Sequence, residues 1–275
     1  MDNRFLFLGG DKRIMYALHL LSQQFVCDRM GQGGVYPEPI GKYGRIVLPL
    51  PATRDGVNIN APLSDAPLPL SLVEKYADKG AVVFSGGSNP AVRELCDRLG
   101  LTVSDYFADE PLTLKNAALT AEAAAAILAQ STDGSIFGSA ALITGYGRCA
   151  SLTARLLNAA GAKVTVCARN PAQRTHAQLD GMTALPLDKL TEAAQGADFI
   201  INTVPARIFT EEDFTNLHEN AVFMELATLP PEPVKALCEK NGVQYIHAAG
   251  LPGKCSPKTA GELIADAILD FLEKT

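Results

Sequence analysis

At 275 residues the chain is long enough for two domains of ordinary size. A hydrophobic share of 47% against 20% charged residues describes a globular protein, and the formal charge of −6 argues against a nucleic-acid footprint. The six cysteines are scattered without a Cys-x-x-Cys, which argues against a disulfide framework or a structural zinc site and fits a reducing cytoplasm, so no metal is expected.

The N-terminus sets Asp2 and Arg4 before a short apolar run, which reads as a first strand rather than a signal peptide. No apolar run approaches membrane-span length, so no membrane association is expected. Residues 5–10 form that strand and end in Gly9-Gly10, followed by Asp11-Lys12-Arg13 and a helical face of Ile14, Leu18 and Leu21. Residues 31–44 are loop-like, residues 45–48 are a buried strand, and residues 51–69, rich in Pro, Asp and Asn, read as a long functional or irregular loop. A short helix is expected over 70–79. A buried strand over 81–84 then ends in Ser85-Gly-Gly-Ser88-Asn89-Pro90. A helix over 91–99 stops at Gly100, and 101–103 with 106–107 completes a first α/β layer.

An alanine-rich helix over 117–129, with Thr120 as N-cap and Glu122 in its first turn, links to a second set of strands. These are expected at 141–143, 164–166, 199–201, 222–224 and 243–246, with helices between. The last helix, 259–273, carries a stripe of Leu263, Ile264, Ala267, Ile268 and Phe271. Alternating strands and helices imply parallel sheets. The expected architecture is α/β, with two Rossmann-like parallel-sheet domains and a cleft between them, arranged as in formate/glycerate dehydrogenases. The expected boundaries are 1–116 for a substrate domain, 117–255 for a nucleotide domain with its linking helix, and 256–275 for a helix packing back on the first domain.

The stretch 140–170 carries the clearest chemistry. A short apolar run ends in Gly145-Tyr146-Gly147-Arg148-Cys149-Ala150, a helical pattern with Leu152, Leu156 and Leu157 follows, and a β-branched run closes it. Strand, glycine turn, helix, strand is the dinucleotide-binding unit. Gly145 makes the turn, Gly147 lets a pyrophosphate approach the backbone, and the helix N-terminus faces it with N–H groups. NAD sites place an acid about 20 residues after the first glycine to bind the ribose hydroxyl. Here Cys167-Ala-Arg169-Asn170 offers none, and Arg169 suits a 2′-phosphate, so NADP is favoured over NAD. Thr203, Val204 and Pro205 end the next strand, where they would flank the nicotinamide ribose. After the following strand, Thr228 is a hydrogen-bond donor to the cofactor, and Glu225 reads better as a structural acceptor of N–H groups.

The loop 249–260, with two glycines, two prolines, Ser256 and Lys258, suits anion capture. His247 precedes it and reads better as a core residue than as an acid–base group. Gly9-Gly10-Asp11-Lys12-Arg13 and Ser85-Gly-Gly-Ser88-Asn89 end strands of the first domain and offer backbone N–H groups. Two anion-friendly loops suggest a carboxylate-bearing substrate.

Taken together, these motifs resemble the A subunit of dipicolinate synthase. The likeness rests on Leu8-Gly-Gly-Asp-Lys-Arg13, Val82-Val-Phe-Ser-Gly86 with Ser88-Asn89, Thr120-Ala-Glu122, Gly145-Tyr-Gly-Arg148 and Ala168-Arg169. It continues in Ile201-Asn-Thr-Val-Pro205 and in Gly250-Leu-Pro-Gly253 with Pro257-Lys-Thr-Ala-Gly261. The chain departs from it in Glu225-Leu-Ala-Thr-Leu-Pro-Pro-Glu, where a glycine-containing loop is expected. The resemblance implies an N-terminal domain and an NAD(P)-binding domain acting in spore formation, in the mother-cell cytoplasm. It implies oxidation of a dihydro- or hydroxytetrahydro-dipicolinate of the lysine pathway to pyridine-2,6-dicarboxylate, with the flavoprotein-like B subunit of dipicolinate synthase as partner. Homo-oligomerisation is left open. On that reading Lys12, Arg13, Ser85, Ser88, Asn89, Ser256 and Lys258 hold the two carboxylates, with Lys258 at the catalytic centre. Asp11 is the acid–base group, unless it only caps the first helix. Two alternatives stand beside this: a 2-hydroxyacid dehydrogenase, whose expected Arg and His are missing here, and a nucleotide-binding protein without catalysis.

Overall fold

A computed structural model describes residues 3–34, 37–87, 89–228 and 232–275. It divides into two compact units, residues 1–116 with 253–275, and residues 117–252.

In the first unit, β1 (Phe5–Leu8) runs into α1 (Lys12–Leu21), then β2 (Cys27–Met30), β3 (Tyr43–Val47), the short strands β4 (Asn58–Ile59) and β5 (Leu68–Pro69), and α2 (Leu72–Tyr76). It continues through β6 (Ala77–Ser85), α3 (Pro90–Leu99) and β7 (Thr102–Asp105) into α4 (Glu110–Gln130). The parallel sheet has the order β2-β1-β3-β6-β7, a doubly wound arrangement whose switch point lies between β1 and β3. Phe5 to Leu8 are all buried because helices cover both faces of the sheet. α3 begins with Pro90 at its first position and Asn89 accepting from the Ala91 N–H, and ends at Gly100, whose φ of 64° is left-handed.

Residues 51–69 are not one irregular loop. β4 and β5 pair antiparallel within them, and the segment is tied to the sheet by Gly10 N–H to Asn60 O at 2.9 Å and Ala52 N–H to Gly86 O at 3.2 Å. The helix expected over 70–79 ends at Tyr76, and the chain passes directly into β6.

The last helix, α10 (Pro257–Glu273), packs on α1 in this unit. Ile264, Ala265 and Ile268 join Ile14, Ala17 and Leu21 in one buried cluster, and Phe271 meets Phe84 edge-on at 5.3 Å. Gly261 permits the close approach, because a Cβ there would overlap the Arg13 carbonyl oxygen and lie 2.7 Å from Tyr16 Cβ.

The second unit takes over within α4. This helix begins at Glu110, with Asp109 accepting the Leu112 N–H, so Thr120 lies mid-helix and buried rather than at an N-cap. By length and hydropathy alone α4 is apolar enough to cross a membrane, but Ala123, Ala124 and Leu128 sit in the unit's core. β8 (Ala140–Thr144), α5 (Arg148–Ala159), β9 (Lys163–Cys167), α6 (Pro171–Leu179) and β10 (Thr183–Leu185) follow. Then come α7 (Leu190–Ala194), β11 (Phe199–Asn202), β12 (Val222–Glu225), α8 (Glu232–Lys240) and β13 (Gln244–His247).

The strand order is β10-β9-β8-β11-β12-β13, all parallel. Alternate residues feed two cores. Ile143, Ile201 and Met224 face one, and Leu142, Ile200 and Phe223 face the other. The segment expected as a rigid loop over 249–260 holds the short helix α9 (Leu251–Cys255).

Candidate functional site

Numbered within the second unit, its strand order reads 3-2-1-4-5-6, the dinucleotide-binding topology, with the switch point between β8 and β11. The glycine turn sits at that point. Gly145 has φ 78° and its N–H bonds the Cys167 carbonyl at 2.9 Å. A Cβ on Gly145 would lie 3.0 Å from Thr203 Oγ1 and 3.3 Å from Val204 Cγ2. Gly147 is the N-cap of α5 in extended conformation, with no side chain capping the helix and open space where a Cβ would project. No side chain covers the first-turn N–H groups, the arrangement in which a helix N-terminus can take an anion. Ala150, at the third small position, is buried against the sheet.

The neighbouring side chains hold this turn. Tyr146 is buried and donates to Asp180 Oδ2 at 2.5 Å, and Arg155 Nε donates to the same oxygen at 2.9 Å. Cys149 is hydrogen-bonded to Thr120, and burial raises its thiol pKa. Arg148 is exposed. Burial, then the bond to Asp180, pushes the Tyr146 phenol up from 10.0 to about 12. A raised acid pKa means the folded state favours the protonated phenol. Its stabilising bond should be intact below pH 10 and lost as pH climbs toward 12. An ultraviolet titration of tyrosinate should show a late component, shared with Tyr43 and Tyr106, that Tyr146→Phe reduces by one tyrosine; an unchanged curve would contradict the buried bond.

At the end of β9, Arg169 and Asn170 are exposed. The Asn170 side-chain oxygen caps α6 by accepting the Ala172 N–H at 2.9 Å. Arg174 Nη1 donates to the carbonyls of Ala168 and Arg169, each at 2.8 Å, and so shapes the loop that presents Arg169. Residues 167–170 contain no acid.

The ends of β8, β11 and β12 are in register, Thr144 beside Asn202 beside Glu225. All three are fully buried. Thr144 Oγ1 donates to Asn202 Oδ1 at 2.6 Å, and Asn202 Nδ2 donates to both Glu225 oxygens at 3.0 and 2.9 Å. The N–H groups of Val204 and Ala227 complete the set, bonding Asn202 Oδ1 and Glu225 Oε1. Burial raises the Glu225 pKa, and the bonds from Asn202 and Ala227 oppose that. Thr203 Oγ1 donates to the Thr144 carbonyl at 2.7 Å. Pro205 and Thr228 are exposed, and so is His247, which is therefore not a core residue.

In the first unit, Asp11 caps α1 through the Arg13 N–H and is gripped by the Arg13 guanidinium at 2.8 Å. Arg13 Nη2 also donates to the Leu50 carbonyl, joining the ends of β1 and β3 at the switch point. A Cβ on Gly253 would lie 2.9 Å from Arg13 Nε, so a side chain there would make this pair shift. The expected backbone N–H groups are largely engaged. Gly9 bonds Met30 O, Gly10 bonds Asn60 O, and Gly87 bonds Asp105 Oδ1, because neighbouring segments fold over these turns.

Ser85 is buried with no partner for its hydroxyl among the described residues. Asn89 caps α3, and Ser88 lies outside the described residues. Lys12 is exposed and lines a groove of about 820 Å³ with Tyr16, His19 and Arg29, apart from Asp11. Ser256 occupies the N-cap position of α10 without a side-chain cap bond. Lys258 is exposed, 3.9 Å from Glu262. Among the described residues no group of His, Cys, Asp and Glu is placed to hold a metal.

Asp180, Arg155, Arg174 and Thr144 carry no role in the sequence reading. Arg174 alone has a local signal, a basic side chain in the first turns of the helix that follows Arg169.

Residues 37–107 match the family described as the N-terminal domain of the dipicolinate synthase A subunit, and residues 120–246 match the S-adenosyl-L-homocysteine hydrolase NAD binding domain. The dipicolinate synthase A subunit of Bacillus subtilis (strain 168) is 26% identical over 281 residues, 96% of this chain and 94% of that one. The crystal structure of the dipicolinate synthase A subunit from Bacillus halodurans superposes with TM-score 0.87 at 25% identity, covering 98% of this chain and 97% of that one. The likeness to the A subunit of dipicolinate synthase runs end to end. D-lactate dehydrogenase from Escherichia coli shares the fold alone, with TM-score 0.63 at 13% identity over 98% of this chain and 97% of that one. The second unit is thus an NAD(P)-binding domain of Rossmann type, and the comparisons with the A subunit of dipicolinate synthase support an NAD-linked, dehydrogenase-like role.

Proposed function

We propose that the chain is the A subunit of a dipicolinate synthase, oxidising dihydrodipicolinate to pyridine-2,6-dicarboxylate with NADP⁺. The observation that carries this reading is the open glycine turn at the switch point of a chain that follows, along its length, the A subunit of dipicolinate synthase. 4-Hydroxy-tetrahydrodipicolinate loses water to give the dihydro compound, which then loses a hydride and a proton to become aromatic. A bound nicotinamide supplies the hydride acceptor.

Aromatisation makes the step downhill, so the protein chiefly positions the diacid and accepts a proton. Asp11, oriented by Arg13 at the end of β1, is the proposed proton acceptor. Ser85, Ser88, Asn89, Ser256 and Lys258 are the proposed carboxylate partners. Arg13 serves by holding Asp11, and Lys12, lining its own groove, is left out. The flavoprotein-like B subunit is the proposed partner, and a spore-forming cell's cytoplasm the proposed location.

Arg169, exposed in a strand end whose residues 167–170 include no acid, favours NADP over NAD. Arg169→Ala should weaken NADP⁺ binding by about 10- to 100-fold, the worth of a charge-assisted contact, and leave NAD⁺ nearly unchanged. Equal losses for both nucleotides would contradict the assignment. The activity itself is tested by mixing the chain with NADP⁺ and 4-hydroxy-tetrahydrodipicolinate and following reduced nicotinamide together with the diacid product. Turnover by the chain alone supports the reading. Turnover only with the B subunit present places part of the site on that partner. No turnover in either mixture refutes it.

A further inference from the structure

We propose that Glu225 is a positioning residue for the cofactor, setting the direction of a buried hydrogen-bond chain that locks the Thr203–Val204 turn against Gly145. The inference rests on the reading above that Thr203–Pro205 flank the nicotinamide ribose.

The hydrogen-bond polarity follows from chemistry alone. The Ala227 N–H and the Asn202 side chain both direct hydrogens at the Glu225 carboxyl, which is fully buried. The Val204 N–H needs an acceptor and an ionised Glu225 only accepts, so Asn202 turns its NH2 toward Glu225 and its Oδ1 toward Val204. That Oδ1 then accepts from Thr144 Oγ1 at 2.6 Å and from the Val204 N–H at 3.0 Å. Asn202 Nδ2 also reaches the Val204 carbonyl at 3.2 Å, so one amide grips both polar groups of a single residue. With its hydrogen committed to Asn202, the Thr144 hydroxyl presents a lone pair to the Thr203 N–H at 3.3 Å. Thr203 Oγ1 closes the set on the Thr144 carbonyl. Three strand ends, β8, β11 and β12, are thereby welded into one unit.

The position of the weld gives it a function beyond stability. Thr203 Oγ1 and Val204 Cγ2 stand close to where a Cβ on Gly145 would be, so the turn that the amide holds abuts the first glycine of the phosphate turn. If the amide reversed, the Val204 N–H and the Thr144 hydroxyl would both face NH2, and the turn would lift from Gly145. The phosphate turn itself is held separately, by Gly145 N–H on Cys167 O and by Tyr146 on Asp180. Loss of Glu225 should therefore disturb the nicotinamide side of the site and spare the adenosine side.

Glu225→Gln is the direct probe. One amide oxygen can still serve Ala227, but the new NH2 faces the NH2 of Asn202, and one of the two must turn. Titrations would compare NADP⁺ with 2′-phospho-ADP-ribose, the same nucleotide without its nicotinamide ring, with Tm recorded for each protein. The expected result is a loss of at least about tenfold in NADP⁺ affinity, as for a bond to a charged group, with less than about a twofold change for the ring-free fragment. Thr144→Val removes the hydroxyl without changing shape and should give the same split in weaker form; it decides the matter if Glu225→Gln does not fold.

Equal losses for both ligands, or none for either, in a folded variant would overturn the positioning role. Wild-type protein that binds neither ligand would instead refute the underlying cofactor reading, and equal binding of both would refute the placing of residues 203–205 beside the nicotinamide ribose.

Discussion

Gly147→Asp should abolish nucleotide binding while leaving the protein as stable as before, or more so. Gly147 is the N-cap of α5, its backbone is extended, and no atom lies within 4 Å of the Cβ position, so the new side chain is accommodated without displacement. Aspartate is also a better N-cap than glycine, by a few tenths of a kcal/mol or more, and its charge suits the positive end of the helix. The same carboxylate, however, would stand in the space assigned to the pyrophosphate. A unit charge about 4 Å from another near a protein surface costs about 4 kcal/mol, so affinity should fall on the order of a thousandfold. Opposite signs for stability and binding separate a ligand site from a structural turn. Calorimetric titration beside a thermal melt checks both, and a variant that binds NADP⁺ normally would place the phosphates elsewhere.

The second large effect is on stability alone. Gly261→Ala puts a methyl group into the Arg13 carbonyl and within 2.7 Å of Tyr16 Cβ and 3.2 Å of Ala17 N. Two of these three atoms are helix backbone and cannot rotate away, so α10 must lift from α1. Lifting opens the cluster where Ile264, Ala265 and Ile268 meet Ile14, Ala17 and Leu21. Exchange of glycine for alanine inside a helix would by itself gain about 1 kcal/mol. The overlap outweighs that gain, for a net loss of about 3 kcal/mol, or roughly 6–12 °C in Tm for a unit of this size. Nucleotide affinity, which resides in the second unit, should hold. A melt equal to wild type would show that α10 does not lie on α1 as described.

The fold is legible in the sequence wherever strands are buried on both faces. Phe5 to Leu8 and Phe199 to Ile201 read as short apolar runs because helices cover them above and below. Two of the strands without a sequence signal, β2 and β10, are edges of the two large sheets. Cys27-Asp-Arg-Met30 is half-buried throughout and Thr183-Ala-Leu185 never fully so, and neither shows apolar alternation. The start of α4 is hidden for a local reason: Asp109 supplies the cap and Pro111 follows in the first turn, while the Thr120 that resembles a cap points its hydroxyl at Cys149.

The site divides the same way. Its glycine turn is contiguous in sequence and readable from spacing. The groups that hold it are not: Tyr146 finds Asp180 across 34 residues, and Asn202 finds Glu225 across 23. Nor does the sequence around Gly10 disclose that Asn60 takes its N–H, since only the folding of residues 51–69 over the strand ends brings them together.

The most direct measurement is a calorimetric titration of the purified chain with NADP⁺ and, separately, with NAD⁺. One site per chain, tighter for NADP⁺ and lost in Gly147→Asp, is the predicted result. Absence of binding by either nucleotide, with or without the pyridine diacid, would contradict the account at its root.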